Sequence, residues 1–345
     1  MTPAGGPRSL LVIGGTGFFG KSILDAFRRG LLAPWGISRV IVAARNPDHF
    51  RSAHPELVSE AVEFATLDIT KATELPSADF IIHAANTSDA RRYAQDPLAE
   101  RATIIDAAAN FARLAARANR HVRIVYTSSG AVYGQQPAAI ERIDEDYRPV
   151  DLCELAPYKR DYAEAKALAE REIARLGDQG LNVSVARCFA FVGRYLPLDQ
   201  HFAVGNFLAN GMAGREVVVN ADREVIRSYL YADDLVEWLT TIAAAASPAC
   251  PIYNVGSDHA IAVDDVAARI AHLYDTTVRL APRKNLLADR YVPSVDRARH
   301  QLGLAIRYDI DAALAATARQ LGDCQLVAKD ISGRSSDLSK WAIQR

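Results

Sequence analysis

Leu10-Leu11-Val12-Ile13 runs straight into Gly14-Gly15-Thr16-Gly17-Phe18-Phe19-Gly20, and the residues that follow keep a helical periodicity. An unbroken apolar run of this kind predicts a strand covered on both faces. Glycines just after it permit a tight turn, let backbone N–H groups approach a pyrophosphate, and lead into a helix whose N-terminus carries partial positive charge. The spacing satisfies GxGxxG through Gly15, Gly17 and Gly20, and GxxGxxG through Gly14, Gly17 and Gly20. A glycine motif alone also marks ordinary tight turns. Its place between a first strand and an amphipathic helix turns the reading towards a dinucleotide. Gly14, Thr16, Gly17, Phe18, Phe19 and Gly20 are therefore assigned to cofactor binding.

The β–α rhythm then repeats. Strands are predicted at Leu10–Ile13, Arg39–Ala43, Val62–Thr66, Phe80–His83, Arg123–Thr127 and Asn182–Ala186, with helices over Phe19–Arg29, Pro97–Ala118 and Ala156–Leu176. This alternation predicts an α/β fold, a doubly wound parallel Rossmann sheet. Beyond Arg187 the rhythm changes: short strands (Glu216–Val219, Ser228–Tyr231, Ile252–Val255) mix with helices (Asp234–Ala246, Val263–Leu273, Ile310–Leu321). The expectation is a smaller C-terminal α/β substrate lobe interleaved with the sheet. Residues 8–188 then form the dinucleotide-binding domain, 189–328 mainly the substrate lobe, and 329–345 a polar, Ser-rich tail.

Composition removes several classes of partner. Lys and Arg number 40 against 41 Asp and Glu, a net charge of -1, so no nucleic-acid footprint is expected. No apolar stretch approaches the ~20 residues of a membrane span. Leu10–Ile13 falls short of a signal-peptide core of roughly 7–15 residues, so a soluble chain is expected. The four cysteines lie far apart with no CxxC pair, which predicts reduced thiols and a cytoplasmic setting. The eight histidines show no metal-ligand spacing, and no metal is expected.

The second strand ends Val40-Ile41-Val42-Ala43-Ala44-Arg45-Asn46. Sites selective for NAD place an acidic residue there to bind the ribose 2′-hydroxyl. Here the acid is missing and Arg45 stands where a 2′-phosphate would lie, so NADP(H) is favoured over NAD(H). A solvated arginine at a strand end is the plainer alternative. Asp68, closing the third strand, is placed to accept a hydrogen bond from the adenine amino group.

Tyr162-Ala163-Glu164-Ala165-Lys166 puts a phenol and an ammonium four residues apart, on one helical face. With 13 tyrosines in the chain such a pair arises readily by chance, so the chemistry has to carry the reading. A phenol of pKa ~10 is a poor proton carrier at neutral pH. An ammonium ~4 Å away, at an effective dielectric of ~20, favours the phenolate by about 4 kcal/mol, or ~3 pKa units. Ser129 ends the fifth strand, and strand C-termini face the crevice in such sheets, so its hydroxyl can hold a reacting carbonyl or alkoxide. The alternative for Ser129 is a serine capping a strand-to-loop turn.

Together these residues resemble the extended short-chain dehydrogenase/reductase family, in particular its nucleotide-sugar epimerases, dehydratases and reductases. The likeness covers about residues 9–321. It rests on the Gly14/Gly17/Gly20 turn, Asp68, Ile82-His83-Ala84-Ala85, Ser129-Gly130-Ala131-Val132-Tyr133-Gly134, Tyr162/Lys166, Arg227-Ser228-Tyr229-Leu230-Tyr231-Ala232-Asp233-Asp234-Leu235, and Tyr253-Asn254-Val255-Gly256-Ser257. The resemblance implies catalytic roles for Ser129, Tyr162 and Lys166, with Tyr162 and Lys166 also touching the cofactor beside Ile69, Ala84 and Ala85. It implies a nucleotide-sugar substrate held by Ser129 and Arg227, and a homodimer.

Gly130 and Ala131 stand where the family's 4,6-dehydratases carry Asp-Glu, which argues against a dehydratase. Gly130 also replaces the cysteine of the bifunctional epimerase/reductases, and Ala190 replaces a phosphate-contacting Asn. Asn206 is expected to take part of that Asn's role, and His201 is either a substrate contact or a structural histidine. The favoured reaction is NADPH-dependent reduction of the 4-keto group of a nucleoside-diphosphate 4-keto-6-deoxyhexose. A nucleotide-sugar 4-epimerase that keeps its cofactor is the alternative. A non-catalytic dinucleotide-binding sensor or scaffold is the alternative of another class.

Overall fold

Alternation along β1 (Arg8–Ile13) explains the three-layer architecture. Leu10 and Val12 face one apolar cluster, Leu11 and Ile13 face another, and all four are essentially inaccessible. Each buried aliphatic side chain of this size contributes about 1.5–3 kcal/mol, so both faces of the strand demand a cover. The computed structural model describes residues 6–85, 95–117, 120–149, 152–153, 155–200 and 202–322.

The other strands of the main sheet's first half are β2 (Ile37–Ala44), β3 (Val62–Thr66), β4 (Phe80–His83), β5 (Arg123–Ser129) and β6 (Asn182–Cys188). Later strands are shorter: β7 (Phe191–Val192), β8 (Val217–Val219), β9 (Val225–Arg227), β10 (Leu230–Tyr231), β11 (Ile252–Val255), β12 (Ile261–Ala262), β13 (Val278–Leu280) and β14 (Asp289–Arg290). The helices used below are α1 (Phe18–Arg28), α2 (Pro47–Ala53), α3 (Pro97–Ala115), α4 (Pro157–Asp178), α5 (Ala203–Met212), α6 (Ala232–Ala244), α7 (Val263–Leu273), α8 (Asp296–Leu302) and α9 (Ile310–Gln320). The predicted end of α3 at Ala118 lies outside the described residues.

Seven strands form one parallel sheet in the order β11-β6-β5-β4-β1-β2-β3. The order reverses between β1 and β4, and ligand crevices of such sheets open at that switch point, outside the strand C-termini. The expected Rossmann sheet is therefore present. One face is covered by α3 and α4, whose Ala107, Ala108, Ala165 and Ala169 are buried and let the helices pack closely. Those alanine surfaces are used within the chain.

The opposite face is covered by α1 and α6, with Trp238 at 1% exposure donating its indole N–H to the Ala305 carbonyl. Two elements expected in the smaller lobe thus belong to the main sheet's layers: α6 packs on β4, β5 and β6, and β11 extends the sheet beside β6. The predicted strand Ser228–Tyr231 is broken, with β9 ending at Arg227 and β10 starting at Leu230. Helix α8 also packs on β11, with Ala298 in the main sheet's cluster, while α5, α7, α9, β8 and β10 gather around an apolar cluster of their own.

Candidate active site

The glycine turn divides its labour. Gly14 has φ +81°, and a Cβ there would lie 2.6 Å from the Ala85 backbone. A Cβ on Gly20 would lie 2.1 Å from the Gly15 carbonyl oxygen. Both glycines are packing requirements that bring α1 and the β4 terminus against the turn, with Ala84 N–H donating to the Ile13 carbonyl at 2.8 Å. Gly17 differs: a Cβ there meets only the Gly14 carbonyl, at 3.5 Å. Gly17 is also the N-cap of α1, with no side-chain cap. The first-turn N–H groups of that helix are thus left for an anion, so the turn fits a dinucleotide pyrophosphate.

Around this turn, Arg45 is exposed just beyond β2, and the Asn46 side chain is engaged in capping α2 through His49 N–H at 3.2 Å. Asp68 accepts from the Thr70 hydroxyl at 2.8 Å and the Thr70 N–H at 3.1 Å. Those bonds hold its carboxyl below the usual range, assisted by Lys71 and Arg45. Ile69 is buried beside it, and Thr16, Phe18 and Phe19 line the turn half-buried.

Across the switch point, α4 lays three polar residues along one face, at Tyr162, Lys166 and Glu170, each one turn from the next. Each meets the end of β5. The Tyr162 phenol stands by Ser129, whose hydroxyl favours its charged form. The Lys166 ammonium donates to the Thr127 carbonyl at 3.0 Å and sits 5.9 Å from the centroid of the Tyr162 ring. Glu170 accepts from the Ser128 hydroxyl at 2.5 Å and holds Arg187 of β6 through Nη2 at 2.7 Å. Below them, Thr127 donates to the His83 carbonyl at 3.0 Å. Ser129 also accepts from the Ala131 N–H at 3.1 Å, so the capping role and the site role coincide in one hydroxyl.

The electrostatics depart from the sequence-based estimate. Burial pushes the Tyr162 phenol up to about 12, with the Ser129 hydroxyl working the other way. Burial brings Lys166 down to about 8. An ammonium alone would favour the phenolate, but burial disfavours the charged form of both groups and prevails here. Tyr162 is therefore a protonated donor at neutral pH.

The second-lobe candidates are spread apart. Arg227 ends β9, half-buried, and pairs with Asp289 of β14 at 2.9 Å. Asn206 lies half-buried on α5. His201 lies outside the described residues. Sequence reasoning passed over Tyr291, which follows β14 and reaches the site: its hydroxyl donates to the Cys188 carbonyl at 3.5 Å and lies 2.6 Å from where a Cβ on Gly130 would stand, and its ring packs on Phe189 with centroids 4.5 Å apart. A tyrosine in a Tyr-Val-Pro-Ser segment some 160 residues from Ser129 carries no local signal of this contact.

Known proteins share the sequence pattern and the fold. A UDP-glucuronic acid decarboxylase of Arabidopsis thaliana is 24% identical over 306 residues, covering 85% of this chain and 83% of its own. One from Xenopus tropicalis is 24% identical over 237 residues, covering 68% and 53%. Among solved structures, the UDP-glucose 4-epimerase of Thermotoga maritima superposes with a TM-score of 0.73 at 19% identity, covering 90% of this chain and 98% of the epimerase. The dTDP-glucose 4,6-dehydratase of Streptomyces venezuelae, solved with NAD bound, gives 0.74 at 21% identity, covering 90% and 96%. The NAD dependent epimerase/dehydratase family model matches residues 10–256, and the chain is an enzyme belonging to that family, within the extended short-chain dehydrogenase/reductase group.

Proposed function

We propose that this enzyme moves a hydride at a carbonyl- or hydroxyl-bearing carbon of a nucleotide-activated sugar, in the direction of NADPH-dependent reduction of the 4-keto group of a nucleoside-diphosphate 4-keto-6-deoxyhexose. The observation carrying this reading is the convergence of Ser129, Tyr162 and Lys166 at the end of β5, across the switch point from the Gly14–Gly20 turn. A nicotinamide dinucleotide bound at the turn supplies the hydride. Ser129 holds the carbonyl oxygen, Tyr162 delivers its proton to the forming alkoxide, and Lys166 binds the nicotinamide ribose. A phenol pushed up to about 12 keeps its proton at neutral pH, the state from which a reduction starts. Arg45, exposed just beyond β2 where the acidic residue of an NAD-selective strand end is missing from the sequence, supports NADP(H) over NAD(H).

A second reading is a 4-epimerase that keeps its cofactor bound and passes the hydride out and back. It is favoured by the NAD dependence in the family's description and by the epimerase among the solved neighbours. Retention of both Tyr162 and Lys166 speaks against a scaffold that has lost chemistry.

The test is cofactor content and consumption. Protein purified and denatured should release little nucleotide, and the native protein should oxidise NADPH stoichiometrically with a 4-keto-6-deoxy sugar nucleotide. Tyr162→Phe should bind NADPH normally and lose at least ~10²-fold in turnover. Tightly bound NAD, no net change in NADPH and interconversion of sugar nucleotides would replace the reductase by the epimerase.

A further inference from the structure

Ser129 is the last residue of β5, and the chain then bends at once through the short turn Gly130–Tyr133. Where its hydroxyl stands depends on what holds the residues to either side. Before it, Ser128 donates to Glu170 at 2.5 Å. Glu170 accepts from Arg187 through Nε at 3.0 Å and Nη2 at 2.7 Å, and Arg187 Nη1 donates to the Glu145 carbonyl at 3.3 Å. After it, Tyr133 donates to Asn254 Oδ1 of β11 at 2.7 Å. The direction of that bond is fixed. Both protons of the Asn254 amide go to carbonyls, of Ile143 at 2.9 Å and Ser294 at 3.0 Å, so Oδ1 can only accept and the phenol must donate. The Asn254 N–H in turn donates to Glu145 Oε1 at 2.8 Å.

Both restraints end on one residue, the first on its carbonyl and the second on its carboxylate. Glu145 lies in the loop between the turn and α4, 109 residues before Asn254, and is 2% exposed. A carboxylate so buried needs partners, and Glu145 has the Asn254 N–H and the Arg297 guanidinium, with Nε 3.6 Å from Oε2. Ser128, Glu170, Arg187, Glu145, Asn254 and Tyr133 thus close a ring through the segment that carries Ser129, and every member is buried.

We propose that Glu145 is a positioning residue that grips Ser128 through Arg187 and Glu170, and Tyr133 through Asn254, and so sets where the Ser129 hydroxyl stands. It acts through those residues and exchanges no proton in the reaction. A displacement of about 1 Å at a reacting group costs ~10²-fold in rate. Opening the ring at one bond leaves the other restraint in place, so a smaller loss follows.

The activity arm of the test rests on the hydride-transfer reading; the exchange arm does not. Glu145→Ala removes the acceptor of the Asn254 N–H and keeps the carbonyl held by Arg187. It should lower kcat about tenfold, with KM and cofactor affinity within about twofold of wild type. Glu145→Gln keeps an oxygen for that N–H and should return kcat to within about threefold of wild type. Tyr133→Phe keeps the ring against Arg187 and breaks the same arm at its other end, so it carries the test even where Glu145→Ala does not fold. It should match Glu145→Ala, and the double variant should be slower than either by no more than about twofold. A loss seen mainly in KM, a Gln variant as slow as the Ala one, or losses that multiply in the double variant overturn the proposal. Hydrogen–deuterium exchange of the same full-length proteins reads the segment directly. Amides of residues 128–134 should exchange at least about tenfold faster in Glu145→Ala and Tyr133→Phe, and those of β1 at the wild-type rate. Unchanged exchange over 128–134, or an equal rise throughout the sheet, overturns the proposal. A wild type that turns over no 4-keto sugar nucleotide sinks the hydride-transfer reading, and the exchange rates then decide the role of the ring.

Discussion

At the scale of single residues, the three glycines of the nucleotide turn look equivalent in sequence and are not. Gly20 is closed off by the Gly15 carbonyl at 2.1 Å, whereas Gly17 faces open space apart from one contact at 3.5 Å. Gly20→Ala forces α1 off the turn, an overpacking change that costs about 1–3 kcal/mol. It should lower the melting temperature and weaken cofactor binding together. Gly17→Ala should melt like wild type and lose only cofactor affinity, because its methyl group projects where a phosphate approaches. Calorimetry with a cofactor titration on each variant separates the two; equal melting temperatures would refute the division. The motif was legible because spacing encodes it. The division was not, because it depends on what stands opposite each Cα. Tyr291 is the same lesson in stronger form, since it reaches the end of β5 only through long-range contacts, beside Gly130 and at the Cys188 carbonyl.

At the scale of the element, α4 carries Tyr162, Lys166 and Glu170 down one face, and two of the three were readable from the tyrosine–lysine spacing together with the proton chemistry it allows. Glu170 escaped because its partner, Arg187, belongs to β6 and the pairing is non-local. Its carboxylate is buried and shared between Arg187 and Ser128, so it ties the helix to the ends of both β5 and β6. Glu170→Ala leaves a guanidinium buried without its counter-charge, a change that costs about 3–5 kcal/mol. Urea unfolding should show that loss, with reduced kcat from a looser Ser128–Ser129 terminus. A stability change under about 1 kcal/mol would mean that the Tyr133 ring, 4.8 Å from the guanidinium carbon, suffices to hold Arg187.

Across the whole molecule, the central strands were readable because they carry unbroken apolar runs in a sheet covered on both faces, while the edge strand β3, with only Val62 buried, was readable from its place in the β–α rhythm. The placement of β11 and α6 was not, since a four-residue apolar strand reads alike in either sheet and only long-range pairing with β6 decides. That return of the chain joins both lobes through one sheet, so a buried group beneath the site reports on the stability of the whole. His83, at the end of β4, packs between Phe111 at 4.7 Å and Tyr126 at 5.2 Å and is inaccessible. Burial pushes it down to about 3, with the Lys166 charge acting in the same direction. The unfolded chain protonates this histidine near pH ~6.5 while the folded one does not. Its contribution to stability is thus complete above pH ~6.5 and is lost as the pH falls towards about 3, by up to roughly 1.4 kcal/mol per pH unit. His83→Gln keeps a polar side chain there but cannot titrate. Denaturant unfolding at pH 7, 6 and 5 should give a wild-type stability that falls faster than the variant's, by about 1 kcal/mol per unit below pH 6. Parallel curves would show that His83 takes up its proton in the folded protein too, and that the packing of Phe111 and Tyr126 around it opens to water.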